Sequence, residues 1–322
     1  MKLTKLVSII LLTYNERRQS IACLHSLDAL TYPNYHILVV DNASQDGSWD
    51  VIEDYRNKHP KSPISHLRLK ENYGYAGGNN RGIREALKRG AEYVLLLNPD
   101  TLVEKDFLEN LVNVAERYSR KGLLGFFGSR IYLKLKTKNL KHIVYSNGGY
   151  LHPTLTKATL KDYGKNANEL HERKSFATDY VTGTCLLISR RTIERVGLMR
   201  EDYFLYYEDA DWSLRASRMG VARIIVPSSV IYHEQGVSLK QFPSHSLYYH
   251  TRNALYFAWW NGTMAHKLFV IAFALAKLGK QPLKLFFPFK RSTIKPVTKA
   301  ILDFFLGKTG PMNKVQSEKC KV

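Results

Sequence analysis

Long apolar runs, cysteines and acidic residues are all in short supply in this 322-residue chain. The first apolar run, Leu6 to Leu12, ends directly in Thr13-Tyr14-Asn15-Glu16 with no small-residue cleavage site, so it reads as a strand and not as a secretory signal. The longest charge-free run late in the chain, Leu268 to Ala276, falls far short of the roughly 20 residues that a spanning helix needs. A cytoplasmic protein with at most peripheral membrane contact is expected. The three cysteines, Cys23, Cys185 and Cys320, are widely spaced and odd in number; they exclude a disulfide framework and a zinc site and fit a reduced compartment. Only 28 Asp and Glu stand against 48 Lys and Arg, a formal net charge of +20, which draws the protein to polyanions as a class: nucleic acid, nucleotide diphosphates or anionic lipid. No internal repeat is present.

What the first half does hold is a regular alternation. Val7 to Leu12, His36 to Asp41, Ser65 to Leu69 and Tyr93 to Leu97 read as strands. Between them Gln19 to Leu30, Ser48 to Lys58 and Gly78 to Arg89 carry helical spacing. Strands apolar on both faces and separated by helices imply a mostly parallel sheet covered on both sides, a doubly wound α/β architecture. The ligand site of such a sheet lies at the carboxyl ends of its strands. Three of those ends are polar: Thr13-Tyr14-Asn15, Asp41-Asn42 and Asn98-Pro99-Asp100. They point at one crevice.

Beyond about residue 120 the pattern loosens. Gly122 to Leu133, His142 to Leu151, Val181 to Ser189 and Arg223 to His233, the last interrupted at Pro227, read as strands. Thr154 to Thr178 is polar and Lys-rich, which predicts a mobile loop or insertion. Residues 241–322 hold 13 Lys and Arg against two acidic residues. Within them Ala265 to Phe289 mixes apolar side chains with Lys267, Lys277, Lys280 and Lys284, a basic amphipathic region expected to lie in a membrane interface.

Four segments carry the chemistry. Asp100 ends a buried strand, where a carboxylate is costly unless paired or bound to a cation, although a Pro-Asp turn is also an ordinary strand exit. Glu208-Asp209-Ala210-Asp211 packs three carboxylates into four residues, which raises at least one pKa and suits a general base. The same acids also suit the first turn of a helix, and Asp211 is spaced to pair with Arg215. His233, at another strand end, is a possible metal ligand and equally a structural histidine. The stretch from Glu71 to Gly82 is glycine-rich and opens a helix, which suits phosphate binding; it lacks both the dinucleotide fingerprint spacing and the Lys-Ser/Thr of a P-loop.

Thr13-Tyr14-Asn15-Glu16, Val40-Asp41-Asn42-Ala43-Ser44, the Asn72 to Gly82 segment, Asn98-Pro99-Asp100, Gly183, Glu208-Asp209-Ala210-Asp211 and His233 follow one another as they do in family 2 glycosyltransferases. The chain resembles that family over about residues 6–262, and most of all its bacterial rhamnosyltransferase-like branch, which builds cell-envelope polysaccharides. Tyr249-His250-Thr251-Arg252-Asn253 is similar to the stretch that closes the catalytic domain in this branch. The resemblance implies a GT-A fold, a Rossmann-like doubly wound sheet. Residues 1–262 would form the catalytic domain, with a nucleotide-binding half to about residue 120 and an acceptor half beyond it. Residues 263–322 would form a basic amphipathic, membrane-associating helical extension.

It further implies that Thr13, Tyr14, Asn15, Glu16, Asp41, Asn42, Asn72, Gly77, Asn79, Asn98 and Asp100 bind the nucleotide sugar, with Asp41 on the pyrimidine. Asp100 and His233 would hold a divalent metal, Mg2+ or Mn2+. Asp209 would be the general base, shaped by Glu208 and Asp211, and Thr182, Gly183, Thr184 and Trp212 would line the acceptor site. Asn98 stands where the family's metal motif has its first Asp, so the cation has one negative charge fewer. The expected activity is inverting transfer of a sugar, rhamnose from dTDP-rhamnose favoured, to a lipid-linked or polysaccharide acceptor at the anionic inner face of the cell membrane. A UDP-hexose or UDP-N-acetylhexosamine transferase is the alternative. A basic nucleic-acid-binding protein would leave the acidic cluster and the polar strand ends unexplained, so nucleic acid is not an expected partner; a membrane-bound scaffold with a degenerate site is the other non-enzyme alternative.

Overall fold

The computed structural model describes residues 4–60, 62–134, 143–152, 154–234 and 243–312; Cys320, the end of the tail, and Gln235-Gly236 after the candidate His233 lie outside the described residues. The apolar runs become β1 (Val7–Thr13), β2 (Tyr35–Asp41), β3 (Ile64–Arg68) and β4 (Tyr93–Leu97). Between them run α1 (Arg17–Leu27), α2 (Ser48–Lys58) and α3 (Gly74–Lys88). Then come β5 (Thr101–Val103), α4 (Phe107–Arg120), β6 (Gly125–Leu133), β7 (Val144–Ser146), β8 (Gly149–Leu151), β9 (Ala158–Leu160), β10 (Phe176–Ala177) and β11 (Cys185–Ser189). Helices α5 (Arg190–Val196) and α6 (Glu208–Arg218) lead to β12 (Ala222–His233), and α7 (Pro243–Asn261), α8 (Met264–Gly279) and α9 (Ile294–Phe305) follow.

Ten strands form one sheet along the path β10-β12-β6-β11-β4-β1-β2-β3, with β5 on β12 and β7 on β6. The β3-β2-β1-β4 half is parallel, as expected. β11 enters antiparallel between β4 and β6. A run buried on both faces reads the same in either direction, so the reversal left no trace in the sequence pattern. Strand order reverses about β1, with β2 on one side and β4 on the other, which opens a crevice at their carboxyl ends.

The period of two along β1 divides the core. Ile9 and Leu11 face α1, α2 and α4, while Ile10 faces α3, α5 and α6. Each such fully buried side chain stabilises by about 1.5–3 kcal/mol. A third cluster joins Tyr203 and Ala210 to Leu255 and Phe257 of α7, Val270 of α8, and Val297, Ile301 and Phe304 of α9. The C-terminal helices thus pack onto the same body that carries α6.

Three local expectations change. The helix expected from Gly78 begins at Gly74. The strand expected over 142–151 breaks at Gly148, whose φ is +93°; β7 stays on β6 while β8 pairs with β9. The segment 154–178 is not a loose loop. Its polar residues are tied to one another and to the sheet: the Lys161 ammonium lies 2.7 Å from the Glu172 carboxylate, Arg130 of β6 donates to the Glu172 carbonyl, and Asn147 donates to Asp162. The interruption expected at Pro227 is present as a register shift between Val226 and Val230 on β6.

Candidate active site

One wall of the crevice is made of strand ends. Past β1 the chain turns at Asn15, held at φ +55° by its amide donating to Ser44 Oγ and its side chain accepting from the Gln45 amide. Asn15 is exposed, and Tyr14 and Glu16 are half-buried at the rim. Asp41, at the end of β2, is fully buried; one carboxylate oxygen accepts from the Ser44 amide, and the other has no hydrogen-bond partner, with Arg68 Nε 3.6 Å away. Asn42 and Asn72 are turned inward. Asn42 Nδ2 donates to Asn72 Oδ1 and the Gly74 carbonyl, and its Oδ1 accepts from the Tyr73 amide, which ties the end of β2 to the start of α3.

Asp100 and His233 meet where β4 and β12 end. Asp100 Oδ2 lies 3.1 Å from His233 Nε2. That separation suits a hydrogen bond, and it also suits two ligands of one cation held at about 2.1 Å each. Asp100 Oδ1 and His233 Nδ1 are buried without a hydrogen-bond partner. Burial, then the charges of Asp100 and Asp46, push the Glu16 carboxyl up to about 8. A region where carboxylates raise one another in this way is electronegative, and the donor set of carboxylate and imidazole fits a divalent cation. Asn98 is half-buried beside them; its amide donates to the Thr184 carbonyl. Among the described residues, a group of three potential metal ligands is formed by His25, Asp28 and His59. It sits at the far ends of α1 and α2, away from the crevice.

The opposite wall is the N-terminus of α6, where three neighbouring carboxylates meet three different fates. Asp209 Oδ2 accepts from the Gly183 amide at 3.0 Å and Oδ1 from the Ala210 amide at 2.7 Å. Burial raises its pKa, while these amides and the Thr182 hydroxyl oppose the rise. Gly183 has no room for a side chain, since a Cβ there would lie 2.5 Å from the Tyr75 hydroxyl. Glu208 is buried with Oε2 unpartnered, and burial, then Asp209, hold its carboxyl well above the usual range. Asp211 is wholly buried and accepts from Arg215, Tyr203 and Asn261. The spacing to Arg215 anticipated the ion pair; Asp211 braces the helix and does not face the crevice.

Several other candidates also face inward. The Thr13 hydroxyl is buried against Ser20 Oγ, and Asn79 bonds back to the Tyr75 carbonyl within α3. Gly77 is hemmed in by Tyr73, Arg81 and Glu201. Gly74, at φ +70°, lies so close to Phe204 that a Cβ on it would stand 2.3 Å from the Phe204 carbonyl oxygen. These glycines allow close packing of α3 against Tyr73 and Phe204, a role outside the phosphate binding expected of their run in the sequence. Trp212 is a correction of the same kind: it is fully buried, donates to the Gly197 carbonyl and packs edge-on against Phe126, so it cannot touch an acceptor. Thr184 is nearly buried and Thr182 half-buried, their hydroxyls 3.2 Å apart.

Tyr145 was missed. Its ring centroid lies 4.4 Å from that of His233, and burial, then the charges of Asp100 and Asp209, raise its hydroxyl pKa. It therefore sits between the two walls. Nothing marks it in the sequence, where it is one tyrosine among 20.

The family model for glycosyl transferase family 2 matches residues 8–197, more than half of the chain, so this protein belongs to that family. An N-acetylglucosaminyl-diphospho-decaprenol L-rhamnosyltransferase of Mycobacterium tuberculosis is 24% identical over 81% of this chain and 89% of its own length. A dTDP-rhamnosyl transferase, RfbF, of Shigella flexneri is 24% identical over 76% of this chain and 77% of its own. Among solved structures, a mannosyltransferase of Pyrobaculum calidifontis in complex with GDP-Man and Mn2+ superposes with a TM-score of 0.58 at 18% identity, covering 94% of this chain and 87% of that one. That likeness bears on the fold, a GT-A-like mixed α/β sheet. The chain is a glycosyltransferase, with rhamnosyltransferases among the proteins it is similar to.

Proposed function

We propose that this enzyme transfers a hexose with inversion, rhamnose from dTDP-rhamnose being the favoured donor, to a lipid-linked or polysaccharide acceptor. The names of the relatives support the sugar and the acceptor class. The observation that carries the mechanism is Asp209, set by the Gly183 amide across the crevice from Asp100 and His233. As the acceptor hydroxyl attacks the anomeric carbon, Asp209 takes its proton and the bond to the nucleotide diphosphate breaks on the opposite face. Asp100 and His233 would hold a divalent ion, which when bound offsets the charge of the departing diphosphate. Asp41, Asn15 and Glu16 take the nucleotide end. Asp209→Asn should lower turnover roughly 10²–10⁴-fold while dTDP-rhamnose still raises the melting temperature. Wild-type turnover in that variant would remove the assignment, and a thermal shift with UDP-sugars alone would move the reading to a UDP-hexose or UDP-N-acetylhexosamine donor.

The C-terminal helices are read as the surface that lies on an anionic membrane. Only Val270 and Ala274 of α8 are buried, and Met264, Leu268, Leu275 and, beyond the helix, Leu283 and Phe286 are exposed, Phe286 at 80%. Lysines 267, 277 and 290 fold over Trp259, Phe273 and Phe287, as cationic side chains do at an interface. Among the described residues no helix is long and apolar enough to cross a membrane. Leu268→Asp with Phe286→Asp should lower binding to vesicles containing anionic lipid by about 10-fold or more and leave turnover of a soluble acceptor unchanged. Equal vesicle binding would rule this out.

A further inference from the structure

The chain enters α6 through a contorted segment. Phe204, Tyr206 and Tyr207 have φ of +64°, +68° and +76°, and none is glycine. Bulky residues keep such conformations only where their surroundings over-determine them. Here the surroundings come from α7. Asn253 Nδ2 lies 2.9, 2.7 and 3.0 Å from the carbonyls of Tyr203, Leu205 and Tyr206. Its orientation is fixed, because Asn253 Oδ1 accepts from Arg252 Nε at 3.0 Å. The Arg252 guanidinium spends its other donors on the Tyr203 and Gly310 carbonyls and the Tyr248 hydroxyl. Both side chains are fully buried. Tyr248 in turn donates to Asp303 of α9 at 2.7 Å, and the Gly310 amide donates to the Asp202 carbonyl. On the other flank the Tyr75 amide donates to the Phe204 carbonyl.

We propose that Arg252 and Asn253 are positioning residues for Asp209, and that through them the C-terminal helices belong to the catalytic unit. The proposal rests on the reading of Asp209 as the base. The carbonyls of residues 203 to 206 are all held, two residues ahead of Glu208-Asp209, so the aim of the Asp209 carboxylate at Gly183 is set from α7 and α9. Releasing the segment shifts that aim without touching the strand ends that bind the donor. A displacement of this kind costs rate more than affinity.

The test uses the full chain, a soluble acceptor, dTDP-rhamnose and Mn2+ without lipid. Asn253→Ala should lower kcat roughly 10-fold or more, with donor KM within about twofold and the acid limb of the kcat/KM profile displaced. Tyr248→Phe, which removes one hydroxyl at the far end of the relay, should move kcat and the limb in the same direction by a smaller factor. A folded Asn253→Ala enzyme with wild-type kcat overturns the proposal, as does loss of donor binding in proportion to kcat. If Asn253→Ala does not fold, an unchanged kcat and pH limb in Tyr248→Phe overturns it. Should Asp209→Asn be fully active, the base reading fails; should it be dead while Asn253→Ala and Tyr248→Phe are unaffected, only the positioning role fails.

Discussion

The two walls of the crevice are held by opposite means. On the donor wall Asp41, Asn98 and Asp100 stand at or just past strand ends, and sheet register alone brings them together. On the base wall Asp209 follows a segment with three left-handed residues, and its place depends on side chains more than 40 positions later in the chain. Local order in the sequence is enough for the first wall. The second needs a fold that is already closed, which is why we propose that the helices behind α6 share in its chemistry.

The sharpest way to break this comparison is to disable the donor wall alone. Asp100→Ala should lower turnover roughly 10²–10³-fold, with His233→Ala close behind, since each removes half of a pair whose facing atoms lie 3.1 Å apart. Rate measured across a Mn2+ titration checks this: the half-saturating concentration should rise, while the acid limb set by Asp209 stays in place. If the limb moves as much as the metal dependence does, the two walls are not independent.

The same division explains what was legible in the sequence. The parallel half, the crevice at its strand ends and the strand break at Pro227 follow from periodicity and one topological rule. The acidic start of α6 was legible because carboxylates crowd it, but crowding could not tell a residue at the crevice, Asp209, from Asp211, which is buried on Arg215, Tyr203 and Asn261. The inward turn of Thr13, Asn42 and Trp212 was hidden for a related reason: a polar or amphipathic side chain at a strand end or helix start has the same identity whether it serves the ligand or the neighbouring backbone. The antiparallel entry of β11 and the place of Tyr145 are set by long-range pairing, which no local pattern records.

Glu208 gives the smallest and most specific measure of the base wall. It sits one residue from Asp209, buried, with Oε2 lacking the partners that Asp211 has. Burial first, then Asp209, raise its carboxyl well above an ordinary value of 4.5. A raised folded-state pKa means that the native protein holds a proton which the unfolded chain has released. Below about pH 4.5 both states are protonated and the group is neutral in its effect. Above it, this group's contribution to stability falls as pH rises, until the folded-state pKa is reached. Glu208→Gln removes this titration, so its advantage over the wild type should be near zero at pH 4.5 and grow as pH rises. Denaturant midpoints at several pH values from there to neutrality would show it. A stability difference that does not change with pH would mean that the fold does not raise the Glu208 carboxyl, against the direction its burial sets.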